Sequence, residues 1–418
     1  MSIGYACLTM GVLNTQFKTC RKENATDENL YKLIENNLNS LENIIDYNIK
    51  NNIKLFRISS DLIPFGSSEI NKLPWHIIFK ERFKKIGEKI KKSNIRVSMH
   101  PGQYTVLNSP KPEVVEKAIK DLEYHTIVLD LLDTNTKSKI ILHIGGIYNE
   151  KNKSIKRFIE NYRLLNNQIK ERIVIENDEK FYNICDVLSI SEKLDIPVVV
   201  DNLHNKINPC NNKNDVYYWI KEANKTWKNE DGTQKVHYSQ QNPSLKTGAH
   251  SETIYIKDFM EYYNYLPYKD IDIMLEVKDK NLSAIKCINS ISIENKIFAL
   301  EKEWAKYKYK VLETSPASYK KIRELLKDKS GYPVLEFYTL IEDALKNKII
   351  KGNAVNAALH IWGYFKDIAS QKEKENFLKK LRQFENNNVS LKNIKTFLFN
   401  ISIKYKVKYL LENYYFYF

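Results

Sequence analysis

The stretch that decides the fold is "IRVSMHPGQY", residues 95–104. Its first six residues predict a short buried strand that ends at His100. Pro101 and Gly102 then break the strand, and a helical pattern begins at Pro112, where proline is suited to the first turn. A strand, a loop that carries a histidine and a helix therefore form one unit of this chain.

The same unit recurs over roughly the first 280 residues, where short β-branched runs alternate with long amphipathic helical stretches. Eight such runs are present, at residues 2–6, 53–59, 95–100, 138–144, 172–178, 196–201, 235–239 and 272–277. Eight β-α units in about 250 residues are typical of a closed barrel of parallel strands. The sequence therefore predicts an α/β fold, with a TIM-type (β/α)8 barrel over residues 1–280.

The chain changes character after the eighth run. Residues 296–418 show helical periodicity, with breaks at "SPAS", "SGYP" and "KGN" and no convincing strand. We predict a small all-α C-terminal domain at 296–418 and a linker at 281–295. The basic and aromatic stretch "WAKYKYK", residues 304–310, is compatible with nucleic-acid binding, although a solvated face of an amphipathic helix is the favoured interpretation.

Composition narrows the class of protein only partly. The chain has 418 residues, 43% of them hydrophobic, which is enough for a large core and a second domain. Its formal net charge of +15 favours a polyanionic partner, because Lys and Arg displace counterions from phosphates. However, Lys, Asn, Ile and Tyr are abundant throughout, and such a bias raises the charge without any function.

The cysteines and the N-terminus point to an intracellular protein. No two cysteines form a CxxC pair, so the sequence predicts neither a disulfide framework nor a zinc finger. The five cysteines are Cys7, Cys20, Cys185, Cys210 and Cys287. The start, "MSIGYACLTMGVL", lacks the basic region of a signal peptide, and no apolar run approaches the ~20 residues of a membrane helix. We expect a soluble, cytoplasmic protein without membrane contact.

Imidazole and carboxylate side chains stand at or just beyond the ends of most predicted strands. They are His100, His143, Glu176, Asp201, His204, His237 and Glu276, with His250 in the loop before the last strand. These strand ends meet at one mouth of a barrel, where so many acids and imidazoles are unfavourable without bound cations. Such donors suit Zn²⁺, Mn²⁺ or Fe²⁺, and their number implies two or three ions that share a bridging carboxylate.

Lys235 lies two residues before His237, so both side chains point to the same face of their strand, into the barrel. Three interpretations stay open for it. The lysine extends away from the metals, contacts a phosphate, or loses its proton and carries CO₂ as a carbamate.

Closely spaced cations in a barrel mouth suit phosphodiester hydrolysis, but sugar isomerases use a similar set of residues. The stretch "HPGQY" favours a nuclease, because its sharp turn projects Gln103 and Tyr104 over the predicted metals. Tyr can stack on bases, and Gln can occupy the space of a displaced base. A general abasic-site endonuclease and, less favoured, a sugar isomerase-like barrel are the alternatives, and binding without catalysis is the least favoured.

The barrel sequence resembles the ultraviolet damage endonucleases, the UvdE/UvsE enzymes, which are TIM barrels related to endonuclease IV. The similarity lies in "LFRISSDLIPF", "SMHPGQY", "LHIGG", "ENDEK", "VVVDNLH", "KVHYSQQNP", "GAH" and "LEVK", and covers nearly every β-α loop in order. The C-terminal stretches "NAVNAALHIWGYF" and "KYLLENYYFYF" resemble a YbgA-like module of unknown function.

The resemblance implies an enzyme that nicks damaged double-stranded DNA 5′ to ultraviolet photoproducts, namely pyrimidine dimers and 6-4 photoproducts. Some such enzymes also act at abasic sites. They use divalent metals, commonly Mn²⁺, and no ATP; Zn²⁺, Mg²⁺ and Fe²⁺ are the other candidates here. The C-terminal domain is expected to bind DNA or another protein, or only to stabilise the barrel.

The resemblance also assigns roles to single residues. The implied metal ligands are His100, His143, Glu176, Asp201, His204, His237, His250 and Glu276, with Glu176 as the bridge. Glu176, Lys235 and His237 are the implied catalytic residues, and Lys235 stands where the family carries a carboxylated lysine. Tyr5, Gln103 and Tyr104 stand where the family contacts the lesion, although a core role is nearly as well supported for Tyr5.

Overall fold

A computed structural model describes residues 1–210, 215–293 and 296–418. Within them, eight parallel strands form a closed barrel in chain order. The strands are β1 Ile3–Ala6, β2 Leu55–Ile58, β3 Arg96–Met99, β4 Ile140–His143, β5 Ile173–Glu176, β6 Val198–Asp201, β7 Lys235–Tyr238 and β8 Asp272–Leu275. The predicted TIM barrel and all eight strands are confirmed, although each strand is shorter than predicted because pairing stops where the loops turn away.

The strand register sets the candidate site residues side by side. His143 at the end of β4 pairs with Glu176 at the end of β5, and Asp201 on β6 pairs with His237 on β7. Residues in register on neighbouring strands point to the same side of the sheet. The sheet itself therefore brings these four side chains together.

Helices lie between the strands in the sequence, and one more follows the last strand. They are α1 Asp27–Lys50, α2 Trp75–Ile78, α3 Lys80–Lys92, α4 Pro112–Leu131, α5 Lys151–Leu164, α6 Asn167–Lys170, α7 Ile184–Leu194, α8 Asn202–Ile207, α9 Val216–Asn224, α10 Ile256–Tyr265 and α11 Asn281–Ile291. Helix α1 shows why they form: Thr26 caps its first turn, and Leu30, Ile34 and Leu41 bury one face. Helix α4 begins at Pro112, as predicted.

The described chain divides into two compact units. The first comprises residues 1–9, 14–254 and 261–285, and the second comprises 10–13, 255–260 and 286–418. Helices of the second unit are α12 Ile297–Thr314, α13 Pro316–Leu325, α14 Val334–Leu345, α15 Lys351–Trp362, α16 Gln371–Glu385, α17 Leu391–Lys404 and α18 Lys408–Leu411. Its core includes the stacked rings of Trp362 and Phe377, 4.5 Å apart, so the all-α C-terminal region is confirmed.

The predicted linker at 281–295 contains a helix. Most of it is helix α11, in which Leu282, Ala284 and Cys287 are buried. The apolar residues recur at helical spacing, and this pattern outweighs the polar residues between them. The limits of the two domains, 1–280 and 296–418, stay predictions.

The cysteine prediction needs a correction. Cys185 in the first turn of α7 and Cys210 after α8 form a disulfide, with their Cα atoms 5.8 Å apart. The other three cysteines, Cys7, Cys20 and Cys287, take part in no disulfide within the described residues. Sequence spacing does not reveal this pair, because the two residues lie 25 positions apart, after successive strands that only the closed barrel brings together.

Membrane contact was not expected from the sequence. In the described ranges, no helix combines the length and the apolar character needed to cross a bilayer.

Candidate metal centre

Glu176 is the residue at which the candidate site converges. It ends strand β5 and is 1% exposed. Its carboxylate belongs to three groups of potential ligand atoms, each group lying within 4.8 Å. The groups are His100 with His143, Asp201 with His204, and His237 with Glu276, each combined with Glu176. One buried carboxylate thus reaches all the other groups.

His100 and His143 face one oxygen of Glu176. His100 Nε2 lies 3.2 Å from Glu176 Oε2, and His143 Nε2 lies 3.6 Å from the same atom. Burial lowers the pKa of His100 to about 4, so its imidazole is neutral and retains a lone pair for a metal. The hydroxyl of Ser60 donates to the His100 main-chain oxygen at 2.9 Å and meets buried His125 Nε2 at 2.8 Å. This contact fixes the turn that follows His100.

Asp201 and His204 form the second group. Asp201 Oδ1 accepts from the main-chain N–H of His204 at 2.8 Å and thereby caps helix α8. The His204 ring is held by a 2.9 Å contact between Nδ1 and the Asn177 main-chain oxygen. Burial would lower the pKa of His204, but the surrounding carboxylates, Asp201 first, raise it to about 9. Burial raises the pKa of Asp201.

His237 and Glu276 form the third group. His237 Nδ1 lies 2.6 Å from Glu176 Oε1 and 3.3 Å from Glu276 Oε1. His250, in the preceding loop, reaches Glu276 Oε2 with Nε2 at 3.7 Å. Burial would raise the pKa values of Glu176 and Glu276, but the neighbouring imidazoles, and Arg57 in the case of Glu276, outweigh it and hold both well below the usual range. The two carboxyl groups are therefore anions at neutral pH.

These residues fit a divalent-metal centre. Three carboxylates and five imidazoles are hard and borderline donors, as Mn²⁺, Zn²⁺ and Fe²⁺ prefer. Several buried donor atoms also lack a hydrogen-bond partner among the described residues, which is costly unless another group satisfies them. They include Asp201 Oδ2, His143 Nδ1 and His237 Nε2. The clusters can hold metal ions, and the role of each residue stays a prediction.

Lys235 is buried on strand β7, two residues before His237, as predicted. Its Nζ makes no hydrogen bond within the described residues. Burial, reinforced by the positive charge of Arg96, holds the pKa of Lys235 well below its usual value, although Asp272 opposes this. Burial and the neighbouring arginine thus make the protonated form of Lys235 less favourable than in water.

The turn after His100 presents Gln103 and Tyr104 to solvent, and the Tyr104 ring is 70% exposed. A Cβ atom at Gly102 would lie 2.4 Å from Tyr104 Cε1, so glycine leaves room for the ring in this position. Beside the turn is a cavity of about 400 Å³, lined among others by Gln103, His143, Tyr148 and Phe181. The exposed pair and the candidate ligand His143 thus border the same space.

Tyr5 lies in the core, the second of the two roles considered for it. It is completely buried, and its hydroxyl contacts Thr9 Oγ1 and donates to Asn48 Oδ1, both at 2.8 Å. Asn48 belongs to helix α1, so the ring lies between strand β1 and the outer helices. Alternation along β1 turns Tyr5 away from the barrel interior. The burial supports the core role of Tyr5, and its assignment to the lesion-binding residues stays a prediction.

Two charged residues near the centre received no role from the sequence. Arg57 on strand β2 forms an ion pair with Glu276, and Glu179 Oε2 lies 3.7 Å from His204 Nε2. Each belongs to a quoted stretch, "LFRISSDLIPF" and "ENDEK" respectively. The sequence contained a signal for Arg57. Alternation along strand β2 directs this arginine inward, and a buried arginine needs an anionic partner.

Comparison with known families agrees with this site. Residues 1–308 match the family described as UV-endonuclease UvdE. The chain belongs to this family. Residues 308–418 match a second family, described as a protein of unknown function, DUF1722. The predicted class of enzyme is confirmed, and the sugar isomerase alternative loses its support.

Similar proteins from bacteria are named UV DNA damage endonuclease. The UV DNA damage endonuclease of Clostridium perfringens is 43% identical over 397 residues, which cover 92% of this chain and 93% of the relative. The protein of that name from Bacillus cereus strain B4264 is 34% identical, covering 66% of this chain and 87% of its own. The crystal structure of SacUVDE is similar with a TM-score of 0.66 and 38% identity, over 70% of this chain and 98% of that one.

Proposed function

We propose that this chain is a metal-dependent, ATP-independent DNA repair endonuclease that nicks duplex DNA on the 5′ side of pyrimidine dimers and 6-4 photoproducts. Abasic sites are a second candidate lesion. The support is family membership together with one observation: Glu176 is shared by three groups of potential ligands. Because the proposed substrate is chromosomal DNA, we expect the enzyme in the cytoplasm.

The eight predicted ligands divide naturally around Glu176. His100 and His143, Asp201 and His204, and His237 with Glu276 would each hold one cation, with His250 completing the last set. This arrangement fits two or three ions, with Mn²⁺ as the first candidate. Bound cations would supply the positive charge and Lewis acidity that phosphodiester hydrolysis requires.

The chain's own residues have separate tasks in this proposal. Glu176 and Glu276 are anionic and hold the cations, and His100 is neutral and available as a ligand. Gln103 and Tyr104 lie at the surface beside the centre, where they would occupy the space left by displaced bases and stack on them. Lys235, buried two residues before His237, would either carry a carbamate or contact a phosphate.

The decisive experiment uses an end-labelled duplex that contains a single cyclobutane pyrimidine dimer. We expect the full-length protein with Mn²⁺ to produce one nick 5′ to the dimer, and a chelator to abolish it. Glu176→Gln preserves size but removes the shared charge, so it should lower both nicking and bound metal at least ~100-fold while the melting temperature is retained. Glu81→Gln, on the exposed face of α3, is the control and should behave as wild type.

The substrate separates the remaining alternatives. A general abasic-site endonuclease would cleave an abasic duplex and leave the dimer duplex intact. Nicking of the dimer duplex that persists in the presence of chelator, or a fully active Glu176→Gln variant, would contradict the metal centre itself.

A further inference from the structure

Arg57 is the one Lys or Arg side chain that forms an ion pair with a predicted metal ligand within the described ranges. Its Nη1 donates to Glu276 Oε1, and both side chains are 12% exposed. The same Glu276 oxygen lies 3.3 Å from His237 Nδ1. Arg57 therefore contacts a carboxylate of the proposed centre at the atom that faces another proposed ligand.

The placement of Arg57 is built into the barrel. Arg57, on strand β2, is in register with Ala6 on β1 and Ser98 on β3. The main-chain oxygen of Arg57 accepts a hydrogen bond from the Cys7 N–H at 2.8 Å. The charge of Arg57 is permanent, because a guanidinium group keeps its proton throughout the physiological pH range. Its Nε is buried without a hydrogen-bond partner in the described part of the chain. Burial of Arg57 therefore costs hydration of the guanidinium group, and the ion pair with Glu276 offsets part of that cost.

We propose that Arg57 is a built-in counter-cation for Glu276, which holds this carboxylate in place before metal binding and competes with the metal for it. The proposal rests on the proposed metal centre and adds a residue that sets its affinity. A buried anion without a counter-charge is costly, and Arg57 removes that cost in the absence of metal. Metal binding to Glu276 must then overcome the attraction of Arg57, so loading of this group is an exchange of one cation for another.

The test measures stability and metal binding of the full-length protein instead of activity. After treatment with chelator, Arg57→Met should melt several degrees below wild type, because Glu276 is left unpaired. Added Mn²⁺ should raise its melting temperature more than that of wild type, with an apparent affinity tighter by ~10-fold, since the competitor is gone. Arg57→Lys keeps the charge but lacks the planar guanidinium group. Its melting temperature and its Mn²⁺ affinity should therefore lie between those of wild type and Arg57→Met.

A surface arginine provides the matched control. Arg82 pairs with Glu42 on the outside of the barrel, and Arg82→Met should leave the Mn²⁺ response unchanged. An equal Mn²⁺-induced shift in wild type and Arg57→Met would overturn the competition. No shift in wild type either would contradict the proposed metal centre itself.

A double-mutant cycle tests the pairing of Arg57 with Glu276 separately from the metal centre, because it needs no metal. If Arg57 acts through Glu276, then Arg57→Met should cost much less stability in a Glu276→Gln background than in wild type. Additive losses in the chelator-treated protein would mean that Arg57 only packs in the barrel, and the counter-cation role would then be wrong.

Discussion

At the scale of the residue, Lys235 is the least ordinary group in the barrel. A fully buried ammonium needs an anion or several hydrogen-bond acceptors, but Nζ has no hydrogen bond within the described residues. The nearest charges include Arg96, which repels it, and Asp272, which attracts it. The interpretation in which Lys235 extends to solvent is excluded by its burial, and the phosphate contact and the carbamate remain.

Lys235→Arg separates these two interpretations. Arginine keeps a positive charge and binds phosphate well, but it cannot form a carbamate. If the carbamate interpretation holds, the variant should lose nicking and bound Mn²⁺ by at least ~10-fold, and wild-type protein in bicarbonate should show added mass at this lysine. Lys91→Arg, at an exposed ion pair, is the control. A fully metallated, active Lys235→Arg variant would favour the phosphate contact.

At the scale of the element, the turn at residues 101–104 is a surface feature supported from beneath. Ser60 and His125 hold the His100 main chain, and Gly102 leaves room for the Tyr104 ring. Nothing in the fold requires Gln103 and Tyr104 to be a large amide and an exposed aromatic ring. Their exposure favours a role in binding.

Replacement of both side chains should separate recognition from chemistry. Gln103→Ala with Tyr104→Ala should reduce the preference for dimer-containing over intact duplex by ~10-fold or more, since stacking on one base contributes about 1–3 kcal/mol. Bound Mn²⁺ should stay at the wild-type level, because neither residue belongs to the ligand groups. Competition binding with both duplexes measures the preference, and an unchanged ratio would reduce the turn to a structural role.

The second element of interest is the disulfide between the start of α7 and the segment after α8. The loop it closes contains strand β6 with Asp201 and His204, two predicted ligands. Closing a loop of this length limits the unfolded chain and is expected to stabilise the fold by about 2–4 kcal/mol.

Thiol alkylation followed by mass measurement checks this bond. The unfolded, non-reduced protein should take up three alkyl groups, and the reduced protein five. Reductant should lower the melting temperature of wild type but not of a variant with Cys185→Ser and Cys210→Ser. Five reactive thiols without reductant would show that the pair is a dithiol.

At the scale of the whole molecule, the formal net charge of +15 bears on the proposed DNA partner. Contacts with phosphates supply affinity without sequence or lesion preference, and they weaken as salt rises. We propose that the turn with Gln103 and Tyr104, and not this diffuse charge, recognises the lesion.

The two contributions should respond differently to salt. Affinity for intact duplex should fall steeply, by about 10³-fold or more between 50 and 200 mM salt if six or more phosphates are contacted. The ratio of affinities for dimer-containing and intact duplex should change by less than ~3-fold over the same range. A ratio that falls in parallel with affinity would show that charge, and not the turn, distinguishes the lesion.

The sequence by itself determined the elements and the donor types at their ends. Neighbouring residues are enough to predict strand β3 with its histidine, and strand β6 with Asp201 and His204. The reason is that β-branched runs, proline and glycine determine the conformation of the chain locally. The inward direction of Lys235 also followed from the sequence, since it needs only the two-residue period of a strand.

Tertiary structure alone decided which side chains meet. Glu276 and Arg57 are 219 positions apart, and the disulfide joins successive loops, so no local pattern indicates either contact. The shared position of Glu176 depends on the register of β4 to β7, and the burial of Tyr5 depends on the packing of α1 against β1. Local propensities determine where a strand begins and ends, whereas closure of the barrel determines which strands lie next to each other. The chemistry of this site depends on side chains from neighbouring strands, so it follows from the closed barrel.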